Sequence, residues 1–311
     1  MKKNYDFHPD LRKYEKMKVP VIPAVIPRLQ ALMSVLYHME KSDERVSVSA
    51  IRIPSEDGSM LRALVYEPKF SAQNSSCLLF FHGGGFVYNA SPHHFRLARR
   101  FTEMTGCKTI LVDYRLAPAH KFPAAADDCF DVYRWVLGQV SDLKIDPCRI
   151  AVCGDSAGGN LAAALCLMAR DRDIPMPKAQ LLLYPVTDCR METESMRRYT
   201  DTPLCKRGDI EKYFEMYLPA EKPDIHLVPY VSPVEAESLK GLPDTYIEVA
   251  EFDCLHDEGA EFARLLAADG VWVELHEMKG AMHGYDIAGS SGFVKDCMDL
   301  RLRFLESVDF V

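Results

Sequence analysis

Several large classes of protein are excluded by what this sequence lacks. No apolar stretch runs unbroken for the length of a bilayer crossing, and the early apolar segment at residues 19–27 is interrupted by three prolines. The start, residues 1–10, is basic and then polar, with no apolar segment of the kind a secretory signal carries. This reads as a cytoplasmic protein without a stable membrane anchor. No basic run with interleaved aromatics occurs, and the net charge is −8, so nucleic acid is not an expected partner. No Cys/His spacing suggests zinc, and no metal or other cofactor is expected. Internal repeats and low-complexity tracts are also missing.

Cysteine is not scarce. The ten are scattered, and Cys77, Cys153, Cys129 and Cys166 fall within predicted strands and helices, where a thiol packs as a small hydrophobe. They read as reduced thiols in a reducing compartment. With 311 residues, 48% of them hydrophobic, the chain can bury a sizeable core.

One stretch organises the rest. Residues 149–153 are short, apolar and β-branched and predict a buried strand; Gly154 is expected to break it, and residues 161–169, rich in Ala and Leu, predict a helix. Ser156 therefore sits on a sharp strand-to-helix turn between Gly154 and Gly158, the G-x-S-x-G pattern in the context that presents a serine hydroxyl above a sheet. Around it, strands are predicted at 46–54, 61–66, 77–81, 109–113, 179–185, 245–250 and 271–275, the first two as an antiparallel hairpin at one sheet edge. Helices are predicted at 29–38, 124–137, 207–218, 258–268 and 294–308, with a polar loop at 71–76. Continuous apolar strands alternating with helices predict an α/β fold with a mainly parallel sheet covered on both faces. The alternation stops at 186. The chain thus divides into an N-terminal cap segment (1–45), a first part of the core (46–186), inserted cap helices (187–230) and a second part of the core (231–311).

Acyl transfer needs a nucleophile, a base, an orienter for the base and donors for the oxyanion. Gly83, Gly84 and Gly85 follow a buried strand, where backbone N–H groups can approach a ligand unobstructed, and the Ala157 N–H at the helix N-terminus can join them. No phosphate-loop spacing competes with this. His82 is expected to support the loop structurally. Among the ten histidines, His93, His94, His120, His226 and His256 lie away from predicted strand ends, and His276 alternates with apolar positions. His283, flanked by small residues past the last strand, is the candidate base. Asp253 directly follows a strand and is the candidate acid; Asp257 and Glu258 are rivals that also suit a helix N-terminus, and Glu251 could brace the acid.

The motifs His82-Gly-Gly-Gly85, Asp113-Tyr-Arg-Leu-Ala-Pro118, Gly154-Asp-Ser-Ala-Gly-Gly-Asn160, Tyr184-Pro185, Asp253-Cys-Leu-His-Asp-Glu-Gly259 and Met282-His-Gly284 stand in an order that resembles the hormone-sensitive-lipase-like esterases. The resemblance implies an α/β-hydrolase fold with an eight-stranded sheet and a helical cap. It also implies a Ser156–Asp253–His283 triad, and an oxyanion hole at Gly84, Gly85 and Ala157 with Gly83 as a further member. Two departures stand out: Ala119-His-Lys121 where an acidic residue is usual, and Cys254-Leu-His256 after the acid.

The expected function is hydrolysis of short-chain acyl esters, with a small-molecule ester as partner. An amidase or deacetylase using the same triad, or a non-catalytic small-molecule receptor on the same scaffold, are the alternatives. Tyr213, Phe214 and Tyr217 on the inserted helix, with Leu36 from the N-terminal segment, are expected to line the substrate pocket. A homodimer through the last strand is a further expectation by resemblance.

Overall fold

The structure, a computed structural model, describes residues 5–70, 74–221 and 223–311. Part of the polar loop expected at 71–76 and the basic start at 1–4 lie outside the described residues, as does residue 222 of the insertion.

Eight strands form one sheet: β1 (Val46–Pro54), β2 (Met60–Pro68), β3 (Ser75–Phe81), β4 (Lys108–Asp113), β5 (Ile145–Asp155), β6 (Ala179–Leu183), β7 (Asp244–Phe252) and β8 (Val273–Met282). Their order is β1-β2-β4-β3-β5-β6-β7-β8. The β1–β2 hairpin joins β4 antiparallel, and every other pairing from β4 to β8 is parallel. Among the described residues ten α-helices accompany them: α1 (Ile26–Ser34), α2 (Leu36–Met39), α3 (Pro92–Thr105), α4 (Ala124–Gly138), α5 (Ala157–Asp171), α6 (Glu194–Arg198), α7 (Arg207–Tyr217), α8 (Val228–Val231), α9 (His256–Ala268) and α10 (Gly292–Ser307). Among the described residues no helix is long and apolar enough to cross a membrane, and all ten cysteines are free thiols.

The strands are apolar on both faces because both faces are covered. In β3, Cys77, Leu79 and Phe81 join one core with α4, α5 and α9, while Leu78 and Phe80 point into a second core with α3 and α10. The same alternation splits Val152 from Ala151 and Cys153 in β5. Burying a large apolar side chain on either face of a central strand stabilises the fold by roughly 1.5–3 kcal/mol, which is why the middles of β3 and β5 are apolar on both faces.

Several elements differ from the sequence reading, three of them near the site. β5 does not end at Gly154 but continues to Asp155, because its pairing with β6 extends to Asp155 opposite Leu183. A helix absent from the reading, α3, opens at Ser91 with a capping box closed by His94. β8 runs to Met282, through residues that read as a loop. At Gly280 (φ +68°) the Glu251 carboxylate accepts the backbone N–H at 2.7 Å, and the carbonyl accepts from His8 N at 2.9 Å. Side chain and N-terminal segment thus satisfy the backbone there, and pairing resumes at Phe252 and Met282. Glu251 therefore braces β8 rather than the acid itself.

The 187–230 span packs as α6, α7 and α8. Its two ends meet at Asn160, whose side-chain amide donates to Val186 O at 3.1 Å and Val231 O at 3.0 Å. The N-terminal segment lies against the glycine loop: Gln30 Nε2 donates to Val87 O and Ala117 O, each at 2.7 Å, and the Tyr88 hydroxyl donates to Pro20 O.

Candidate active site

Ser156 stands between β5 and α5 with φ 55° and ψ −119°, a conformation that L-residues avoid. The surroundings hold it there. Ser156 N donates to Leu183 O at 2.8 Å, and its carbonyl accepts from Val186 N at 3.1 Å and Asn160 N at 3.2 Å. The glycines are needed for space: a Cβ on Gly154 would overlap the Gly158 carbonyl, and one on Gly158 would overlap the Phe81 carbonyl.

The Ser156 hydroxyl lies 2.9 Å from His283 Nε2, and His283 Nδ1 lies 2.7 Å from Asp253 Oδ2. With the hydroxyl donating to Nε2 and the Nδ1 proton donated to the carboxylate, all three are linked in one chain. Asp253 is fully buried and its other oxygen accepts from Leu255 N at 3.0 Å. Burial alone would depress the imidazole, but the Asp253 charge and hydrogen bond outweigh it and raise His283 to about 9.

The rival carboxylates are occupied elsewhere. Asp257 accepts from Ser195 N at 2.7 Å and lies 2.8 Å from His256 Nδ1. Glu258 is buried beneath the start of the cap and accepts from Thr187 N at 2.8 Å and Asp188 N at 3.2 Å, with burial pushing its carboxyl well up. His276 bonds Glu274 at the sheet edge.

The glycine loop requires one correction. Gly83 N donates to Asp155 Oδ1 at 2.9 Å, so this N–H is already used and cannot face an oxyanion. Gly84 and Gly85 N–H groups donate to no acceptor among the described residues, and Ala157 is the first residue of α5, where the N–H has no partner within the helix. Three donors remain. Asp155 also lies 3.2 Å from His94 Nε2. Burial would raise its carboxyl, but the charge and hydrogen bond of His94, with the Gly83 N–H, hold it below the usual carboxylate range. His94, read as remote from strand ends, is thus a brace for the glycine loop, carried there by α3. His82 is structural as expected: it is buried, stacked on Tyr114 at 4.4 Å, and burial lowers it to about 3.

Of the expected pocket residues, Tyr213 reaches the glycine loop: a Cβ on Gly85 would overlap its ring. Phe214 and Tyr217 turn into the core, Tyr217 stacked on Phe86 at 3.9 Å and within 5.8 Å of Phe122. Leu36 is a second correction. It packs with the core on the opposite face of the sheet, because the break between α1 and α2 turns it away from the face that Leu29 and Met33 cover. Lys121, in the departure after Leu116-Ala-Pro118, donates to Leu218 O at 2.7 Å and ties this loop to the end of α7.

A nucleophile elbow at the end of a central strand, beneath a helical insertion, is the plan of the α/β-hydrolases. The alpha/beta hydrolase fold family matches this chain over residues 78–287. An ethyl acetate hydrolase of Pseudomonas putida is 35% identical over 255 residues, spanning 80% of this chain and 79% of that protein. Carboxylesterase NlhH of Mycobacterium tuberculosis is 38% identical over 222 residues, spanning 71% and 70%. A bacterial heroin esterase superposes with a TM-score of 0.87 at 32% identity, over 97% of this chain and 98% of that one. A Pyrobaculum calidifontis esterase gives 0.85 at 32%, over 98% and 100%. The chain belongs to the hormone-sensitive-lipase-like branch of the α/β-hydrolases and is a carboxylesterase.

Proposed function

We propose that the protein cleaves short-chain acyl esters through an acyl-enzyme on Ser156. His283 takes the hydroxyl proton as Ser156 attacks the ester carbonyl, then passes it to the leaving alcohol. Asp253 holds the imidazole tautomer and stabilises the imidazolium. Gly84, Gly85 and Ala157 N–H groups bind the tetrahedral oxyanion, and water repeats the cycle to release the acid. The observation that carries this reading is the unbroken Ser156–His283–Asp253 chain. It also disfavours a non-catalytic receptor, which needs no base beside the serine. The restriction to short acyl groups rests on Tyr213 above Gly85.

The test is direct. Ser156→Ala should abolish turnover of p-nitrophenyl acetate and butyrate while circular dichroism and melting stay those of the parent. A phosphonate should label Ser156 alone in the parent chain. Retained turnover, or a label elsewhere, refutes the assignment, and comparing an anilide with the matching phenyl ester decides between esterase and amidase.

Free thiols throughout support a reducing, cytoplasmic setting. Among the described residues β8 has no strand beyond it in the sheet; Leu275 within it and Trp272 just before it are exposed, which supports pairing of two copies along the part of β8 ahead of the His8 contact. Sedimentation as a monomer at micromolar concentration would refute the dimer.

A further inference from the structure

Beneath His283 lies a second set of charged groups that the reaction does not touch. Arg301, on α10, is fully buried. Its Nε and Nη2 donate to the two oxygens of Glu248 at 2.9 and 2.7 Å. Its Nη1 and Nη2 donate to the two oxygens of Asp286 at 2.9 and 3.0 Å. Glu248 also accepts from the Tyr246 hydroxyl at 2.6 Å and from the Tyr285 hydroxyl, and Asp286 accepts from the Tyr184 hydroxyl at 2.8 Å. All six side chains are buried.

Stability alone is a poor account of this cluster. Taking three charges out of water costs heavily, and apolar side chains of equal volume would hold a closing helix as well or better. The cluster supplies direction instead. Glu248 lies on β7, the strand that delivers Asp253, and Asp286 lies just past His283 on the loop that delivers the base. One planar guanidinium grips both carboxylates in bidentate fashion, so the strand of the acid and the loop of the base share a single rigid reference. Tyr184 completes the link. Its hydroxyl belongs to the cluster, and its ring meets the His283 ring edge-on at 5.1 Å with an interplanar angle of 68°.

We infer that Arg301, acting through Glu248, Asp286 and Tyr184, is a positioning residue for the His283 imidazole. It fixes the ring's angle and its distance to Asp253 without touching substrate. The inference rests on the reading that Ser156, His283 and Asp253 act together.

The experiment uses the full chain and the variants Arg301→Lys, Arg301→Met and Tyr184→Phe, assayed on p-nitrophenyl acetate well below each variant's unfolding temperature. The second readout is the low-field proton NMR signal of the His283 Nδ1 hydrogen, which a purely structural role would leave unmoved in folded protein. Arg301→Met should lower kcat by about tenfold to a hundredfold, the size of effect an ångström of misplacement produces. KM should hold, and the low-field signal should shift or broaden. Arg301→Lys should show the same pattern more weakly, because a point charge cannot grip two carboxylates bidentately, and Tyr184→Phe should be weaker still. Should Arg301→Met not fold, the other two variants decide. Wild-type kcat and an unmoved signal in both folded Arg301→Lys and Tyr184→Phe overturn the inference. Ser156→Ala is assayed alongside: residual turnover there refutes the catalytic reading itself, whereas an inactive Ser156→Ala beside unaffected Arg301→Lys and Tyr184→Phe refutes only the role of Arg301.

Discussion

The ring of Tyr213 lies so close over Gly85 that a single methyl group at residue 85 would coincide with ring carbons. The inserted helix α7 therefore touches the glycine loop, and on the proposed reading an acyl chain lies beside that contact. Tyr213→Ala removes the ring and should move the best p-nitrophenyl ester from acetate or butyrate towards longer chains. An acyl-length profile unchanged from the parent would show that another residue sets the limit.

The pH dependence follows from His283. The imidazole is raised from its ordinary 6.5 to about 9, and the base must be neutral to accept the serine proton. The kcat/KM for ethyl butyrate, followed by titration of released acid, should therefore climb through neutral pH, pass its half-maximum near pH 9 and level off only above it. Stability runs the other way. A histidine whose folded-state value is raised stabilises the fold fully below its unfolded value and loses that contribution as pH rises through the folded one. Asp253→Asn should erase this alkaline fall in melting temperature, and its persistence in that variant would assign the fall to other groups.

Asp253 and Asp257 are separable by substitution. Asp253→Asn leaves the imidazole without its anionic partner and should lower kcat about 10⁴-fold, as loss of the orienting carboxylate does in other triads. Asp257→Asn weakens contacts to Ser195 and His256 and should stay within a few-fold of the parent. Inactive Asp257→Asn beside active Asp253→Asn would reverse the assignment.

Gly158→Ala probes the elbow itself. The added methyl overlaps a backbone carbonyl, that of Phe81, which has no rotamer with which to yield. The expected cost is about 3 kcal/mol, at the upper end for overpacking, visible as a lower midpoint in urea. A shift smaller than a third of that would mean that β3 and α5 can separate.

Much of this architecture was legible in the chain. Ser156, Asp253 and His283 each follow a strand end and sit among small or turn-forming residues; local pattern makes them candidates beside Asp257 and Glu258, the family resemblance implies the triad, and the structure brings the three within hydrogen-bonding reach. The engagement of Gly83 was not legible, because its acceptor lies 72 residues away in sequence and all three loop glycines look alike. His94 and Arg301 were missed for a related reason. His94 sits on a helix that the sequence pattern does not mark and Arg301 on one that reads only as the closing helix, and packing alone reveals that each points at a buried carboxylate. The reach of β8 was hidden by Lys279 and Gly280, which are turn-like residues; a side chain from β7 and the backbone of residue 8 satisfy the ladder there. The orientation of Leu36 depended on a helix break that no proline or glycine marks.

The contact between His8 and Gly280 has a consequence for how the molecule is made. Residues near the amino terminus dock on the last strand, and Asp10 accepts from Phe293 N at 3.0 Å at the start of the final helix. On a ribosome this segment emerges about 270 residues before the strand and helix on which it rests. Phe7 and Leu11, both buried in the folded chain, belong to a core that includes side chains of β8 and the final helix, and so cannot complete their burial until those have been made. The end of the strand that leads to His283 thus gains its last backbone partner in one of the final acts of folding.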